Sequence, residues 1–511
     1  MKTKIFLIII VLLAAILRFY KLGQVPSGFV NDEAAIGYNA YSLLKTGKDE
    51  FNVSWPVIFR SFGEGKLPVY IYLTIPSVAV FGLNEFSVRF PSALFGVLTV
   101  LVVSRWSLLA ALVLATLPWH IHFSRAAFEA NLALFFLTFG TWTWLAKKFW
   151  WSLISFTLAI FTYNAALIFM PLWVVYLFFR DKQKIILLIF LPLILLFYLQ
   201  TGYNRFNSIS IFNAQSGVMQ RLEQKYRETR NQPLLLTRVL HNKPIEFSVD
   251  LLKRYASHFN FNFLFFSGDP IRPRYRVPDT GQALWFSLLF FILGLYQLAK
   301  QKNWVFLVWL LLAPLAAAIT FETPSSIRSL FMIIPLCMAI AQGILATVKR
   351  FPITILPIIL IFAFNFVSYL DAYYIHAPVH EPYEWQGGYK ELVSRVNKLM
   401  PAYDRAMITD SRGTAYIYFL FYNQYDPAKW QQQSKIAVTK ADKFGFSSIN
   451  HLENIFFIGE TCPAKIPEAK VLYVCTEANH PVSGFTAFKD PVYFEDGQPA
   501  FVMFEAEKTV Q

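Results

Sequence analysis

The chain has 511 residues, of which 56% are hydrophobic and only 15% are charged. Since a soluble surface needs a larger charged fraction, this composition excludes soluble, disordered and collagen-like proteins and indicates an integral membrane protein. The net charge of +14 fits basic residues that anchor membrane helices on the cytoplasmic side, and no basic block typical of a nucleic-acid-binding segment occurs.

The first predicted element is an apolar helix over residues 5–17, with Lys2 and Lys4 before it and Arg18 and Lys21 after it. A cleavable signal peptide would need small residues directly after its apolar core, whereas Arg-Phe-Tyr-Lys follows here. We interpret the segment as a retained membrane helix, and a signal peptide is the alternative.

Ten further apolar stretches follow, which gives about eleven predicted transmembrane helices. They lie near residues 90–103, 107–118, 127–146, 149–162, 164–179, 185–200, 283–299, 303–320, 326–347 and 351–370. Several are shorter than the roughly 20 residues of a spanning helix, so flanking residues must contribute. With a cytoplasmic N-terminus, the basic turns after every second span all lie inside, as the positive-inside rule requires. Those turns carry Arg105, Lys147, Lys148, Arg180, Lys182, Lys184, Lys300, Lys302, Lys349 and Arg350.

Residues 67–83 are also apolar, but counting them as an extra span would move every later basic turn outside. We therefore predict an interfacial helix on the outer face. An alternative keeps the same orientation: residues 67–83 span the membrane, and residues 90–118 form one tilted helix that buries Arg105 at a cost of a few kcal/mol.

The C-terminal part is less hydrophobic and contains alternating stretches at 454–459, 470–475 and 500–505, which are typical of strands. The predicted domains are a membrane domain over residues 1–375, with outer loops 21–89 and 201–282, and a small extracytoplasmic α/β domain over 376–511. Cys462 and Cys475 lie in the second domain, where either a disulfide or two unpaired thiols would fit.

An acidic pair, Asp32 and Glu33, follows the first span. Asn31 is expected to cap a helix whose first turn holds both acids, and a helix N-terminus favours ionised carboxylates. Acids in a first turn can simply cap the helix. Their place just beyond a membrane exit also suits chemistry on a lipid-borne substrate in contact with water.

Glu129 is the only acid between Glu85 and Asp181, at the start of a membrane helix. Because an isolated carboxylate there is costly, a structural pair with Arg125, four residues earlier, is one explanation. The predicted topology also brings this turn to the same outer face as Asp32, so the two acids are expected to flank one cleft.

Four basic residues, Lys66, Arg89, Arg125 and Arg328, are predicted to lie at the outer boundary, where the positive-inside rule makes such residues scarce. Lys and Arg at such positions bind phosphate well. They could instead anchor to anionic headgroups.

Several motifs are absent. The sequence has no Gly-x-x-x-x-Gly-Lys nucleotide loop, no His-Glu-x-x-His and no Asp-x-Asp, the last of which argues against a transferase that holds its donor through a metal. The pairs His120/His122 and His376/His380 are interpreted as structural. We therefore predict no metal and no other cofactor.

Four stretches together resemble the bacterial glycosyltransferases related to dolichyl-phosphate-mannose protein mannosyltransferases and to the aminoarabinose transferase of lipid A. They are Asp-Glu at 32–33, Gly-Lys-Leu-Pro-Val-Tyr-Ile-Tyr at 65–72, Phe-Ser-Val-Arg-Phe-Pro-Ser-Ala-Leu-Phe-Gly at 86–96 and His-Phe-Ser-Arg-Ala-Ala-Phe-Glu-Ala-Asn at 122–131. The resemblance covers roughly residues 1–370 and is strongest in the first 180.

The resemblance implies a GT-C architecture, a mainly α polytopic membrane helix bundle whose outer cavity takes a sugar from a polyprenyl monophosphate. It implies that Asp32 is the principal catalytic acid and that Glu33 completes the pair. Lys66 matches the phosphate-contacting lysine, although Lys-Leu-Pro replaces the frequent Lys-Pro-Pro. Glu129 stands where the second acid is commonly Asp, and Arg328 resembles a late-loop donor contact.

The predicted function is that of a multi-pass plasma-membrane glycosyltransferase for hexosyl or pentosyl groups, which moves a sugar to an acceptor hydroxyl with inversion. Its expected partners are the polyprenyl-phosphate donor, membrane lipids and a protein, lipid or glycan acceptor, without nucleic acid. The substrate-binding residues are expected to be Glu33, Lys66, Arg125 and Arg328, with the active site and C-terminal domain extracytoplasmic. A lipid-linked sugar flippase or secondary transporter is the alternative, because it would have the same composition.

Overall fold

The structure, a computed structural model, describes residues 2–200, 210–212, 216–229, 234–410, 413–438, 449–459, 461–462, 470–476 and 484–506. Two compact units form. The first, here called the helical unit, comprises Met1–Arg18, Ser92–Ser124 and Phe128–Tyr373. The second, here called the mixed unit, comprises Phe19–Pro91, Arg125–Ala127 and Tyr374–Gln511. The predicted division of the chain after residue 375 stays a prediction.

The described chain is mainly helical, as predicted. Its α-helices, in chain order, are α1 (Lys2–Phe19), α2 (Asn31–Thr46), α3 (Pro68–Phe81), α4 (Glu85–Val103), α5 (Leu108–Ala115), α6 (Pro118–Ser124), α7 (Glu129–Leu145), α8 (Phe149–Ile160), α9 (Ala165–Asp181), α10 (Phe190–Gln200), α11 (Val218–Glu228), α12 (Leu234–Leu240), α13 (Lys243–Ser257), α14 (Leu288–Lys300), α15 (Trp304–Leu312), α16 (Leu315–Ala318), α17 (Ile333–Arg350), α18 (Ile355–Asp371), α19 (Tyr389–Leu399), α20 (Tyr416–Tyr422) and α21 (Pro427–Ala437). Each of the eleven predicted apolar stretches contains helix.

Within the described part of the chain, three helical segments are long and apolar enough to cross a membrane: Glu85–Val103, Leu330–Arg350 and Pro352–His376. Other apolar helices are shorter, among them Phe149–Ile160 and Trp304–Ala318. These findings fit a membrane protein, and the count of about eleven spans stays a prediction.

The alternative of a single tilted helix over residues 90–118 is wrong. Helix α4 ends at Val103 and α5 begins at Leu108. The Ser107 side chain accepts a hydrogen bond from the backbone N–H of Ala110 and so caps α5. Arg105 is exposed in the turn between them. A capping serine and a solvated arginine explain why the helix stops here.

Helix α3 covers the apolar stretch 67–83 with 14 residues. At about 1.5 Å per residue it is only about 21 Å long, which is shorter than the roughly 30 Å hydrocarbon core of a bilayer. Since α8 and α15, which lie in predicted spans, are shorter still, this length does not distinguish α3 from them, and its interfacial placement stays a prediction.

The mixed unit contains the predicted C-terminal sheet. The strands of the described chain are β1 (Phe59–Ser61), β2 (Glu64–Lys66), β3 (Arg405–Thr409), β4 (His451–Leu452), β5 (Ile455–Ile458), β6 (Val471–Thr476), β7 (Phe485–Ala487), β8 (Val492–Tyr493) and β9 (Pro499–Ala506). The larger sheet has the order β4-β5-β3-β6-β9-β7, with β8 also paired to β9. Strand β3 runs parallel to β5 and β6, and the other pairs are antiparallel. Three of these strands, β5, β6 and β9, lie where the sequence alternates.

A disulfide joins Cys462 to Cys475, with 5.6 Å between the two Cα atoms. The sequence left open a disulfide or two unpaired thiols, and the structure has the disulfide. Cys475 is buried in β6, where Tyr473 and Phe504 pack beside it. The third cysteine, Cys337, is a buried free thiol in the helical unit.

Helix α2 packs closely against α20 within the mixed unit. A Cβ atom added to Gly37 would lie 2.6 Å from the Phe421 ring and 2.6 Å from Val88. Phe29, just before α2, has its ring centroid 4.8 Å from that of Phe421. The segment around α2 thus shares a core with α20, and this core fixes the helix that carries Asp32 and Glu33.

Candidate functional site

Asp32 and Lys66 form an ion pair, with 2.5 Å between the Asp32 Oδ1 and Lys66 Nζ atoms. The side chain of Asp32 is 46% exposed and that of Lys66 is 13% exposed. The carboxylate is therefore accessible from solvent while the ammonium is largely enclosed. Two of the predicted site residues, 34 positions apart, are brought into direct contact.

The start of α2 differs by one position from the prediction. The helix begins at Asn31, and the capping position is Val30, which has no side-chain oxygen to donate to. Glu33 does the capping instead, because its Oε2 atom accepts the backbone N–H of Val30 at 3.3 Å. Asp32 remains in the first turn, as expected, where the helix dipole stabilises a negative charge.

The β1–β2 hairpin positions Lys66. Its register pairs Phe59 with Lys66 and Ser61 with Glu64. Leu67, the next residue, is buried, and Pro68 begins α3 with the fixed φ that suits a first helical position. Lys66 is thus held between a strand pair and a helix start, so its backbone has little freedom.

Glu33 points away from Asp32 into the interior of the mixed unit, because successive residues on a helix are rotated by about 100°. It is buried and receives two hydrogen bonds from Arg89, at 2.9 and 3.0 Å. The backbone N–H of Ala127 adds a third at 2.9 Å. Arg89 also donates to the carbonyls of Pro26 and Gly28. This arrangement favours a structural role for Glu33, and its predicted contact with substrate stays a prediction.

Arg125 belongs to the mixed unit through its contacts with the chain that follows α1. Its Nη2 atom donates to the carbonyls of Tyr20 and Val25, at 2.6 and 3.0 Å. Its guanidinium group lies 5.2 Å from the ring centroid of Tyr374. The side chain is fully buried. These contacts tie the short segment 125–127 to the loop before α2.

A buried acid that the sequence did not indicate lies at the far end of α2. Glu50 accepts hydrogen bonds from the Asn39 amide at 2.9 Å and the Tyr416 hydroxyl at 3.3 Å. Burial raises the pKa of Glu50 to about 8, with a further increase from Asp49, while the hydrogen bonds and Lys66 act in the opposite direction. No local sequence pattern identifies Glu50, since its partners come from other parts of the chain.

Glu129 and Arg328 belong to the helical unit. Glu129 is the first residue of α7 and the only partly accessible position between residues 114 and 134. Arg328 donates to the Glu322 carboxylate and to Thr320, both at 3.1 Å. Burial acts to raise the pKa of Glu322. The nearby charges of Arg328 and Arg272 outweigh this effect and hold that pKa below its usual value, so the carboxylate balances part of their charge. The expected convergence of Asp32 and Glu129 in one cleft stays a prediction.

The two histidines near Glu129 have structural contacts. The Arg18 guanidinium lies 2.6 Å from Nδ1 of His120, and Nε2 of His122 lies 2.8 Å from the Arg274 carbonyl. Among the described residues, no group of three or more His, Cys, Asp or Glu side chains is arranged to hold a metal ion.

No protein-family model matches the sequence, and no curated protein matches it. Among solved structures, the chain is similar to ArnT from Cupriavidus metallidurans in the apo state, with a TM-score of 0.43 and 14% identity over 99% of this chain and 98% of that one. It is also similar to ArnT from the same organism bound to undecaprenyl phosphate, with a TM-score of 0.42 and 13% identity over 98% of this chain and 97% of that one. Similarity at this level does not define a family.

Proposed function

We propose that the chain is an integral-membrane glycosyltransferase that moves a hexosyl or pentosyl group from a polyprenyl monophosphate to an acceptor hydroxyl. The observation that carries this proposal is the Asp32–Lys66 pair, an accessible carboxylate at a helix N-terminus in contact with an enclosed ammonium. Such a pair offers a proton acceptor and a phosphate ligand side by side, which are the two groups that this transfer requires.

In the proposed reaction, the acceptor oxygen attacks the anomeric carbon while its proton passes to the Asp32 carboxylate. The bond between that carbon and the phosphate oxygen breaks, and its electron pair leaves with the polyprenyl phosphate. Since the leaving group is an anion, it needs cations more than a proton donor. A single displacement of this kind inverts the anomeric centre.

Lys66 is proposed to contact the donor phosphate. Before the donor binds, its positive charge is balanced by Asp32 at 2.5 Å. A phosphate that shares the ammonium weakens this pairing and leaves the carboxylate available to the acceptor proton. Donor binding would thus prepare the base, because the same cation serves both anions.

The other predicted residues have supporting roles in the proposal. Glu129 is the second acid, and Arg328 and Arg125 contribute positive charge on the donor side. Glu33 stabilises the start of α2 through Arg89. The active site and the C-terminal strands are proposed to lie on the extracytoplasmic face, which fits the Cys462–Cys475 disulfide because oxidising compartments favour such bonds. The acceptor is proposed to be a protein, lipid or glycan hydroxyl.

The test is reconstitution of the purified chain in liposomes with a polyprenyl-phosphate sugar labelled in the sugar, together with a mixture of envelope acceptors. Label that moves to an acceptor supports the proposal if the product has the anomeric configuration opposite to that of the donor. Label that crosses the bilayer without leaving its lipid would support a flippase and contradict the transferase.

A further inference from the structure

The backbone at the start of α2 is held by a side chain that lies 355 residues further along the sequence. The Oε1 atom of Gln386 accepts the backbone N–H of Asn31 at 2.5 Å and the hydroxyl of Tyr418 at 2.6 Å. The first N–H groups of a helix have no partner within the helix, and Val30 at the capping position offers no side-chain oxygen. Because an N–H group can only donate, the amide oxygen of Gln386 is the atom that faces Asn31.

The chain around Gln386 is shaped to bring this oxygen to the helix. Gln386 has φ 55° and ψ 44°, a left-handed conformation that residues other than glycine rarely adopt. The preceding carbonyl, that of Trp385, lies 2.1 Å from where a Cβ atom on Gly28 would stand, so this approach requires glycine. Backbone strain of this kind persists only where the surroundings enforce it, and it is concentrated at functional sites.

Tyr418 donates to the same Gln386 oxygen that accepts the Asn31 N–H group. Its ring stacks on that of Tyr389, with 4.0 Å between centroids and 13° between planes. The stack fixes the direction of the hydroxyl that donates to Gln386. Residues from α19 and α20 thereby determine where the amide oxygen lies, and through it where α2 begins.

We infer that Gln386 is a positioning residue for Asp32, and that Gln386 and the tyrosines behind it hold the proposed base in place against Lys66. The inference rests on the proposed function. Asn31 directly precedes Asp32, so a shift of its backbone N–H moves the carboxylate that lies 2.5 Å from Lys66. A displacement of about 1 Å caused by a distant change can cost roughly 100-fold in rate, since the reacting groups must be aligned.

The chain offers a matched control in Gln431. Both glutamines are 6% exposed, and both lie in the C-terminal segment of the mixed unit. The Gln431 amide donates to Thr46 and to the carbonyl of Asp49, both at 2.9 Å, at the opposite end of α2. A change at either position removes buried hydrogen bonds to the same helix, but only Gln386 contacts the end that carries Asp32.

The experiment compares Gln386→Met, Gln386→Glu and Gln431→Met in the full-length protein, with kcat and KM measured for a polyprenyl-phosphate sugar. Gln386→Met keeps the side-chain length but removes the acceptor, and we expect kcat to fall by about 10- to 100-fold. Gln386→Glu keeps an acceptor oxygen and should stay within about threefold of the wild type. Gln431→Met should lower the Tm while leaving kcat within about twofold.

A second measurement does not depend on activity. Hydrogen exchange of the peptide that spans residues 30–36 should accelerate in Gln386→Met and stay unchanged in Gln431→Met. An unchanged kcat in Gln386→Met, an equal fall in Gln431→Met, or unaltered exchange at the start of α2 would overturn the inference. If the wild type transfers no sugar, the proposed function fails, and hydrogen exchange alone then decides whether Gln386 holds this end of α2.

Discussion

Asp32 and Glu33 are neighbours in sequence, yet their carboxylates have opposite environments. Glu33 is buried and receives hydrogen bonds from Arg89 and Ala127, whereas Asp32 is accessible and contacts Lys66. The rotation between adjacent helical residues places one acid in the interior and the other in the proposed site. The two acids should therefore respond differently to the same amide substitution.

For Asp32→Asn we expect sugar transfer to fall by about 100-fold or more, since the amide cannot accept the acceptor proton. Asp426→Asn is the matched control, because Asp426 caps α21 by accepting the Ala428 N–H and asparagine caps equally well. Transfer by both variants in liposomes gives the comparison. Near-normal turnover in Asp32→Asn would remove this carboxylate from the mechanism.

Breaking the buried Glu33–Arg89 pair should destabilise the fold rather than act on catalysis alone. Arg89→Met leaves the Glu33 charge buried without its cation, which typically costs about 3–5 kcal/mol. The double variant Glu33→Gln with Arg89→Met should recover part of this loss, because no buried charge remains. The measurement is the Tm in detergent. Equal losses in the single and double variants would show that the charge is not the cause.

The pH dependence of stability should report on Glu50. Its pKa is about 8 in the folded chain and about 4.5 in an unfolded one, so between these values the folded state binds a proton that the unfolded state lacks. Stability should consequently fall as pH rises through this window, by up to about 1.4 kcal/mol per pH unit. Glu50→Gln removes this dependence. Its Tm relative to wild type should be higher at pH 8 than at pH 5.5, and a constant difference would contradict the assignment.

At the residue scale, local sequence predicts only part of the proposed site. The acidic pair beyond the first span and the lysine before Leu-Pro identify Asp32 and Lys66, because helix-capping and positive-inside arguments act over a few residues. Neither Glu50 nor Gln386 can be predicted in this way. Gln386 and its partner Asn31 are 355 residues apart, so only the folded chain shows that an amide serves as the missing helix cap.

At the scale of elements, the loop before α2 requires glycine at position 28, because a side chain there would collide with the Trp385 backbone. In Gly28→Ala the new Cβ would lie 2.1 Å from the Trp385 carbonyl, a backbone atom that cannot rotate away. We expect a loss of about 1–3 kcal/mol from overpacking, together with reduced transfer as α2 shifts. Gly23→Ala is the control, since its Cβ would meet Phe86 at an ordinary 3.5 Å. Tm values and transfer rates for both variants test this, and equal effects would refute it.

Apolar runs predicted the apolar helices well, because burial and lipid both select uninterrupted hydrophobic residues, but they gave no indication of polar helices such as α11 and α13. The break between α4 and α5 was also predicted, from Arg105. The β1–β2 hairpin was not, since its strands have three residues each and residues 59–66 show no clear alternation. Strands β5, β6 and β9 lie where strands were predicted, but only β5 alternates between buried and partly exposed residues, whereas β6 and most of β9 are buried at consecutive positions.

At the scale of the whole molecule, the Cys462–Cys475 disulfide should stabilise the mixed unit. The cysteines are 13 residues apart, and a loop of this size gives roughly 3 kcal/mol by the entropy it removes from the unfolded chain. Cys475→Ser should lower the Tm accordingly. A reductant should lower the Tm of the wild type but leave the Tm of the variant unchanged. Mass spectrometry without reduction should find the 462–475 crosslink. Free thiols at both positions in native protein would contradict the pairing.

The mixed unit also has a consequence for biosynthesis. The hydrogen bond that secures the first turn of α2 joins Asn31 to a residue that is translated 355 positions later. A ribosome that stalls after codon 66 but before codon 386 would release a polypeptide that carries Asp32 and Lys66 but lacks the amide that holds the start of α2. Such a product should be inserted and catalytically silent, so a cell would not meet a prematurely active fragment.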